Sequence, residues 1–394
     1  MLLKICFINF LSLIFCYHIP LKGYDAKKKE FIDHEPIFTL NNDNIVEGDI
    51  LLPKNVVRRP KRQALYYIRK WNTSKTISYT LSNQFGDEDK NIIRTATNLY
   101  NAFTCVKFEE NGTNLPIINV VKRGGCYSTI GPLWSYKSQL LSLDDHCLTD
   151  FVTSLHEFAH ALGIFHEHSR HDRDKFIKVY PENTMDEQSH NFDKISQNGS
   201  HIFSEYDYDS YMHYNDRAFS DAWSKTIDAL DKKYQRTMGQ SMSPSASVFK
   251  VVNDFYECHK RCENSTIKCL NEGYPNPNNC DACNCPEGFG GRFCEERAKS
   301  IVANCGGDFN APKGEQIEIK LKSVRMICST ACAYNNLMLN TGKSWLSNSV
   351  RFCCLSDVQK YSNFTSFSNL AVLSLNSRKQ SVYFALDYKI KEKK

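Results

Sequence analysis

Beyond its first seventeen residues the chain has no apolar run long enough to cross a bilayer, which argues against stable membrane insertion. It also lacks a strong excess of either charge. The 49 Lys and Arg against 44 Asp and Glu leave +5, spread along the chain, so no basic footprint for nucleic acid is present. Internal repeats and low-complexity tracts are missing too, which excludes a solenoid or a linker-like protein. The leading segment Met1–Tyr17 carries one lysine, Lys4, and then a short apolar stretch. Polar sequence with Lys22, Lys27, Lys28 and Lys29 comes at once after it. Residues 1–17 therefore read as a signal peptide, although no small-residue cleavage site marks their end. With 41% apolar and 24% charged residues, the remainder has the composition of a globular protein. Its length suits two or three domains.

Cysteine is abundant. Of 17 cysteines, Cys6 and Cys16 lie in the leader, and the others crowd toward the C-terminal half. That usage predicts an oxidising compartment, hence a secreted, extracellular protein held by disulfides. The odd count beyond the leader leaves one cysteine over. Sequons at Asn72, Asn111, Asn198, Asn264 and Asn363 are glycosylation sites expected there. Residues 18–62 are polar, with little periodicity, and end in Arg58-Arg59-Pro60-Lys61-Arg62. They read as a propeptide with its activation cut after Arg62, made by a separate activating protease. Residues 63–260 read as one α+β domain. Strand-like stretches occur at 76–81, 105–109 and 117–121. Ile92, Ala96, Leu99 and Phe103 recur at helical spacing behind an acidic start, Asp87-Glu88-Asp89. Phe151, Leu155, Phe158 and Leu162 mark a second helix, capped by Thr149 or Asp150.

That second helix carries His156-Glu157-Phe158-Ala159-His160. Histidines one turn apart on one helical face can bind one ion, and the intervening glutamate then stands beside the ion's open position as general base. The motif extends through Gly163, a residue suited to ending a helix sharply, to His166. Downstream, Met212 within Ser210-Tyr211-Met212-His213-Tyr214 fits the Met-turn expected beneath such a metal, with Met212 as an apolar floor. Zinc is the expected cofactor.

The run from His156 through Glu167, Arg170, Asp172 and Asp174 closely resembles the signature of the astacin family of metzincin zinc proteases. The segment from Tyr206 to Tyr214 resembles that family's Met-turn, and Gly125-Cys126-Tyr127-Ser128-Thr129-Ile130-Gly131 is similar as well. The resemblance implies that Tyr214 is a further zinc ligand that swings away to stabilise the oxyanion. It implies that Glu167 meets the new N-terminus after activation. Val46-Glu47-Gly48-Asp49 resembles the family's propeptide switch, with Val46 where an aromatic is usual, which implies that Asp49 occupies the zinc site before activation. The implied pairing of the protease cysteines is Cys105 with Cys258 and Cys126 with Cys147; sequence alone allows three connectivities.

Residues 258–295 resemble an EGF-like module, for which the family order pairs Cys262 with Cys280, Cys269 with Cys283, and Cys285 with Cys294. A module so small needs such staples. No calcium-binding carboxylate set precedes Cys262. Residues 305–390 resemble a short CUB domain, with Cys305 expected to pair with Cys328, Cys332 with Cys353 or Cys354, and one thiol left over. The expected fold is therefore α+β: a two-lobed zinc protease domain, a disulfide-rich EGF-like module and a β-sandwich CUB-like domain. The expected activity is hydrolysis of peptide bonds in protein or peptide substrates, extracellular matrix or cuticle proteins being the class the family implies. A secreted EGF/CUB scaffold with a dead protease domain is the competing reading. The intact set of His156, His160, His166, Tyr214 and Glu157 weighs against it.

Overall fold

The computed structural model describes residues 45–52, 69–197, 203–240, 243–299, 309–377 and 382–392. The leader, the cut expected after Arg62, Asn198 and Cys305 lie outside the described residues. Among the described residues, no helix is long and apolar enough to cross a membrane.

The described chain begins with a short hairpin, β1 (Ile45–Val46) and β2 (Ile50–Leu51), at one edge of a seven-stranded sheet. The other strands are β3 (Ile77–Leu81), β4 (Phe108–Glu110), β5 (Ile117–Val121), β6 (Cys126–Thr129) and β7 (Ser138–Leu143). Their order is β1-β2-β6-β7-β5-β3-β4. Only β1–β2 and β6–β7 are antiparallel; the other neighbours run parallel. Alternation in β5 sends Ile118 and Val120 into the core while their neighbours stay partly exposed.

Helix α1 (Asp87–Phe103) packs on that sheet. Its three leading acids suit the positive end of the helix dipole, and Ile92, Ile93, Ala96, Leu99 and Tyr100 form its buried face. Helix α2 (Phe151–Ala161) lies against α1 and β6, burying Leu155 and Phe158. Both helices share one apolar cluster with Tyr211 and Met212. A second lobe is mostly irregular around the small pair β8 (Ile177–Val179) and β9 (Ile227–Ala229). Its core is a separate cluster that includes Phe192, Tyr206, Tyr208 and Phe219, with Tyr214 packed against it. Helix α3 (Ala246–Phe255) returns the chain to the first lobe, where Cys258 is bonded to Cys105.

Two hairpins come next, β10 (Tyr274–Asn276) with β11 (Asn279–Asn284), and β12 (Phe289–Gly290) with β13 (Glu296–Arg297). Disulfides Cys262–Cys280, Cys269–Cys283 and Cys285–Cys294 fasten them. The β-rich tail holds β14 (Phe309–Asn310), β15 (Glu315–Arg325), β16 (Asn335–Asn340), β17 (Val350–Phe352), helix α4 (Leu355–Lys360), β18 (Asn363–Thr365), β19 (Leu370–Ser377) and β20 (Tyr383–Glu392). They form two antiparallel sheets, β14-β19-β16-β17 and β18-β15-β20. Leu321 and Val324 of one meet Leu337, Val350 and Phe352 of the other.

The remaining disulfide of the first lobe is Cys126–Cys147. In the tail the expected Cys305–Cys328 bond is corrected: Cys328 is bonded to Cys354, and Cys332 to Cys353. The physical reason is the extended backbone at Cys354, with φ −113° and ψ 135°. Neighbouring side chains on extended chain point opposite ways, so two adjacent cysteines reach two different partners. Asn72, Asn111, Asn264 and Asn363 are all exposed.

Candidate active site

Asp150 starts α2 by accepting hydrogen bonds from the backbone of Val152 at 2.9 Å and Thr153 at 3.2 Å. Gly163 ends it. With φ at +96°, its N–H bonds the His160 carbonyl at 2.7 Å, and the Ile164 N–H reaches Ala159 at 3.0 Å. This paired cap turns the chain back sharply enough to bring His166 over the helix.

The three imidazoles converge. Nε2 of His156 lies 3.1 Å from that of His160 and 3.2 Å from that of His166. Each ring uses its other nitrogen to donate outward. His156 Nδ1 bonds the Tyr211 carbonyl at 2.9 Å, His160 Nδ1 the Ile164 carbonyl at 2.7 Å, and His166 Nδ1 the Glu47 carboxylate at 2.8 Å. With each Nδ1 bonded outward, the three Nε2 atoms face one point, where neutral rings would present their lone pairs to a metal. Zinc–nitrogen bonds of about 2.0–2.1 Å in a tetrahedron set nitrogens about 3.4 Å apart, and this donor set fits that ion.

Asp49 completes the group. Its Oδ2 is 3.1 Å from His156 Nε2 and 3.2 Å from His166 Nε2, and its Oδ1 is 3.4 Å from His160 Nε2. Burial alone would raise the Asp49 carboxyl, but His166 and His160 facing it hold it well below the usual range. Its loop is tightly determined. Gly48 has φ of +75°, and a Cβ there would fall 2.3 Å from Phe219. The Gly48 N–H donates to Asn191 Oδ1 at 3.1 Å, and the Ser128 N–H to the Asp49 carbonyl at 2.9 Å. Residues 50 and 51 then pair with Ser128 and Thr129, so this segment covers the edge of β6.

Glu157, one residue along α2 from His156, is 1% exposed, and its Oε2 is buried without a hydrogen-bond partner. Burial, reinforced by the negative charge of Asp49, pushes its carboxyl well above the usual range. Such an orphaned oxygen next to converging lone pairs is what a metal-activated water would satisfy. Tyr214 donates its hydroxyl to the Glu47 carbonyl and stacks on His168 at 3.8 Å, with its ring 4.6 Å from that of His166. Met212 is buried at 1% exposure, and its carbonyl accepts from the Glu167 N–H at 2.8 Å. Glu167 Oε1 accepts from Arg170 at 2.8 Å and from the Asp207 N–H at 2.8 Å. Burial raises the Glu167 carboxyl to about 7 against the pull of Arg170. The sequence motifs contained Glu47 and His168 without giving either a role, Asn191 lay in none of them, and the backbone carbonyls that aim the rings have no sequence signal at all.

Fold and histidine cluster together define a class, the zinc metalloproteases of mixed α/β architecture. Residues 63–257 match the family model of the astacin peptidases. Zinc metalloproteinase nas-27 of Caenorhabditis elegans is 30% identical, the match covering 88% of this chain and 90% of that protein. Zinc metalloproteinase nas-28 of the same organism is 28% identical, with 93% and 83% covered. Among solved structures, high choriolytic enzyme 1 of Oryzias latipes (Medaka fish), a hatching enzyme zinc-protease, is 28% identical over 48% of this chain and 98% of that one, with a TM-score of 0.44. The chain belongs to the astacin family of zinc metalloproteinases.

Proposed function

We propose that the chain is a secreted zymogen of a zinc endopeptidase, in which the segment around Asp49 blocks the site that His156, His160 and His166 form. The observation that carries this reading is the Asp49 carboxylate lying against all three Nε2 atoms, with Glu157 buried beside them. Zinc bound there supplies an acidified water and polarises the peptide carbonyl. Once Asp49 leaves, Glu157 loses a repelling neighbour, takes the proton from that water and returns it to the departing amine. Tyr214, released from the Glu47 carbonyl, would be free to hold the metal as a further ligand and to donate its hydroxyl to the oxyanion. The N-terminus created by the cut near Arg62 joins Arg170 at Glu167. The two-hairpin unit is the EGF-like module and the two-sheet tail the CUB-like domain. Both suit a protease working on extracellular matrix or cuticle proteins.

The test is direct. The recombinant chain, cut at Arg62, is expected to cleave members of a peptide library at internal bonds and to lose that activity with a chelator. Glu157→Ala should keep its zinc and lose peptidase activity by several orders of magnitude. Undiminished cleavage by that variant would sink the assignment of the base.

A further inference from the structure

The segment leading into the Met-turn carries two buried carboxylates, Asp207 at 2% and Asp209 at 7% exposure. Asp207 is satisfied by hydrogen bonds: Oδ1 accepts from the Asp209 N–H at 2.9 Å and the Asn348 N–H at 3.1 Å, and Oδ2 from Ser247 at 2.5 Å. Asp209 is satisfied by charge. Arg351 Nε and Nη2 grip its two oxygens at 2.7 and 3.1 Å. Arg351 lies on β17 of the tail and is itself only 2% exposed. Its remaining donors go to Asn336 Oδ1 at 3.0 Å and Ser243 at 3.3 Å, with Glu287 of the two-hairpin unit 3.9 Å away. Among the described ion pairs, Arg351 is the cation that Asp209 meets.

The residues immediately after Asp209 form the scaffold of the metal site. Two residues on, the Tyr211 carbonyl orients His156; three on, the Met212 carbonyl holds the backbone of Glu167. The tail also bonds this neighbourhood through Asn348 to the Tyr208 N–H, and through the Ser349 carbonyl and Arg351 N–H to Thr237. We propose that Arg351 is a positioning residue for the zinc-binding histidines, acting through Asp209 and the Tyr211 carbonyl on His156. The protease unit then reaches its working geometry only with the β-rich tail docked. A buried carboxylate deprived of its partner must move toward water or be rebuilt around, and the short backbone link from Asp209 to Tyr211 transmits either change.

This rests on the peptidase reading above, and the experiment separates the two. Activated full-length wild type, Arg351→Met, Asp209→Asn and the double variant Asp209→Asn/Arg351→Met are compared for zinc retention against a competing chelator and for kcat and KM on a quenched peptide. Arg351→Met is expected to lose about 10- to 100-fold in zinc affinity, the scale of outer-shell substitutions, with kcat falling in step. KM should stay within about twofold, since no substrate contact is removed. The double variant, which removes the charge along with its partner, should recover most of both losses. Wild-type zinc affinity and kcat in Arg351→Met overturn the proposal, as does a loss that the double variant does not recover. If Arg351→Met does not fold, Arg351→Lys decides: it keeps the charge without the two-pronged grip. Reduced zinc retention in folded Arg351→Lys upholds the proposal, and wild-type behaviour overturns it. An inactive wild-type chain would defeat the peptidase reading, while zinc retention would still report on Arg351.

Discussion

Each imidazole of the cluster has a different partner for the nitrogen that faces away, and the partners differ in permanence. His156 and His160 donate to carbonyls of the protease itself, at Tyr211 and Ile164. His166 donates to Glu47, which precedes the proposed cut. In the proposed zymogen, Glu47 and Asp49 would therefore form two prongs of one plug, one behind His166 and one in front of it. In an uncleavable chain carrying Arg62→Ala, Glu47→Ala removes one charge-assisted hydrogen bond, worth about 1.5–3 kcal/mol. Peptidase activity leaking from that chain should rise about 10-fold or more by that estimate. Asp49→Ala, which removes contacts with three histidines, should leak more. Latency unchanged by Glu47→Ala would exclude the second prong. Asp49 was legible in the sequence because the switch segment is a recognisable pattern. The contact of Glu47 with His166 was not, since it joins residues 119 positions apart.

At the scale of elements, α2 is short, and its register fixes two of the three histidines, so its ends matter more than its middle. Asp150 is 1% exposed and satisfies two N–H groups that otherwise have no helical partner. Asp150→Ala should cost about 1–2 kcal/mol in denaturant unfolding of the zymogen. An unchanged unfolding midpoint would show that the start of α2 is fixed by packing instead. Periodicity made α1 and α2 readable, because burial on one face leaves a pattern in the chain, whereas α3 was not read from it. It misplaced β4, expected from residue 105 and found from Phe108. Thr104 explains the delay: its hydroxyl bonds the Tyr100 carbonyl at 2.8 Å and accepts from Val106 at 3.2 Å, so residues 104–106 form the exit from α1. The exposed carbonyls at that exit are closed by asparagines of the two-hairpin unit. Asn278 Nδ2 lies 3.0 Å from the carbonyls of Asn101, Ala102 and Thr104, and Asn284 Nδ2 lies 2.9 Å from that of Phe103. No periodic signal marks such a cap, because its donor and acceptors belong to different units.

Asp209, Glu287 and Arg351 meet at one junction of the molecule, one residue from each of three successive units. The protease fold was readable from motifs. This junction was not, since Arg351 and Asp209 lie 142 positions apart and neither sits in a motif of its own role. Its electrostatics yield a prediction with a definite sign. Burial raises the Asp209 carboxyl to about 7, Arg351 pulls it down, and Asp207 and Glu287 push it up. A carboxyl whose folded pKa lies above its unfolded value makes the folded state bind the extra proton. The contribution of Asp209 to stability is then fully present below the unfolded value near 3.8 and is lost as pH rises through about 7. Without Arg351 the folded value climbs further, so the loss continues to higher pH at about 1.4 kcal/mol per pH unit. The stability deficit of Arg351→Met relative to wild type should thus be larger at pH 8 than at pH 5 by about 1 kcal/mol or more. Denaturant unfolding of the two proteins at both pH values measures it, and Asp209→Asn/Arg351→Met should show no such widening. A deficit equal at both pH values would mean that Arg351 supports the junction by packing rather than by neutralising Asp209.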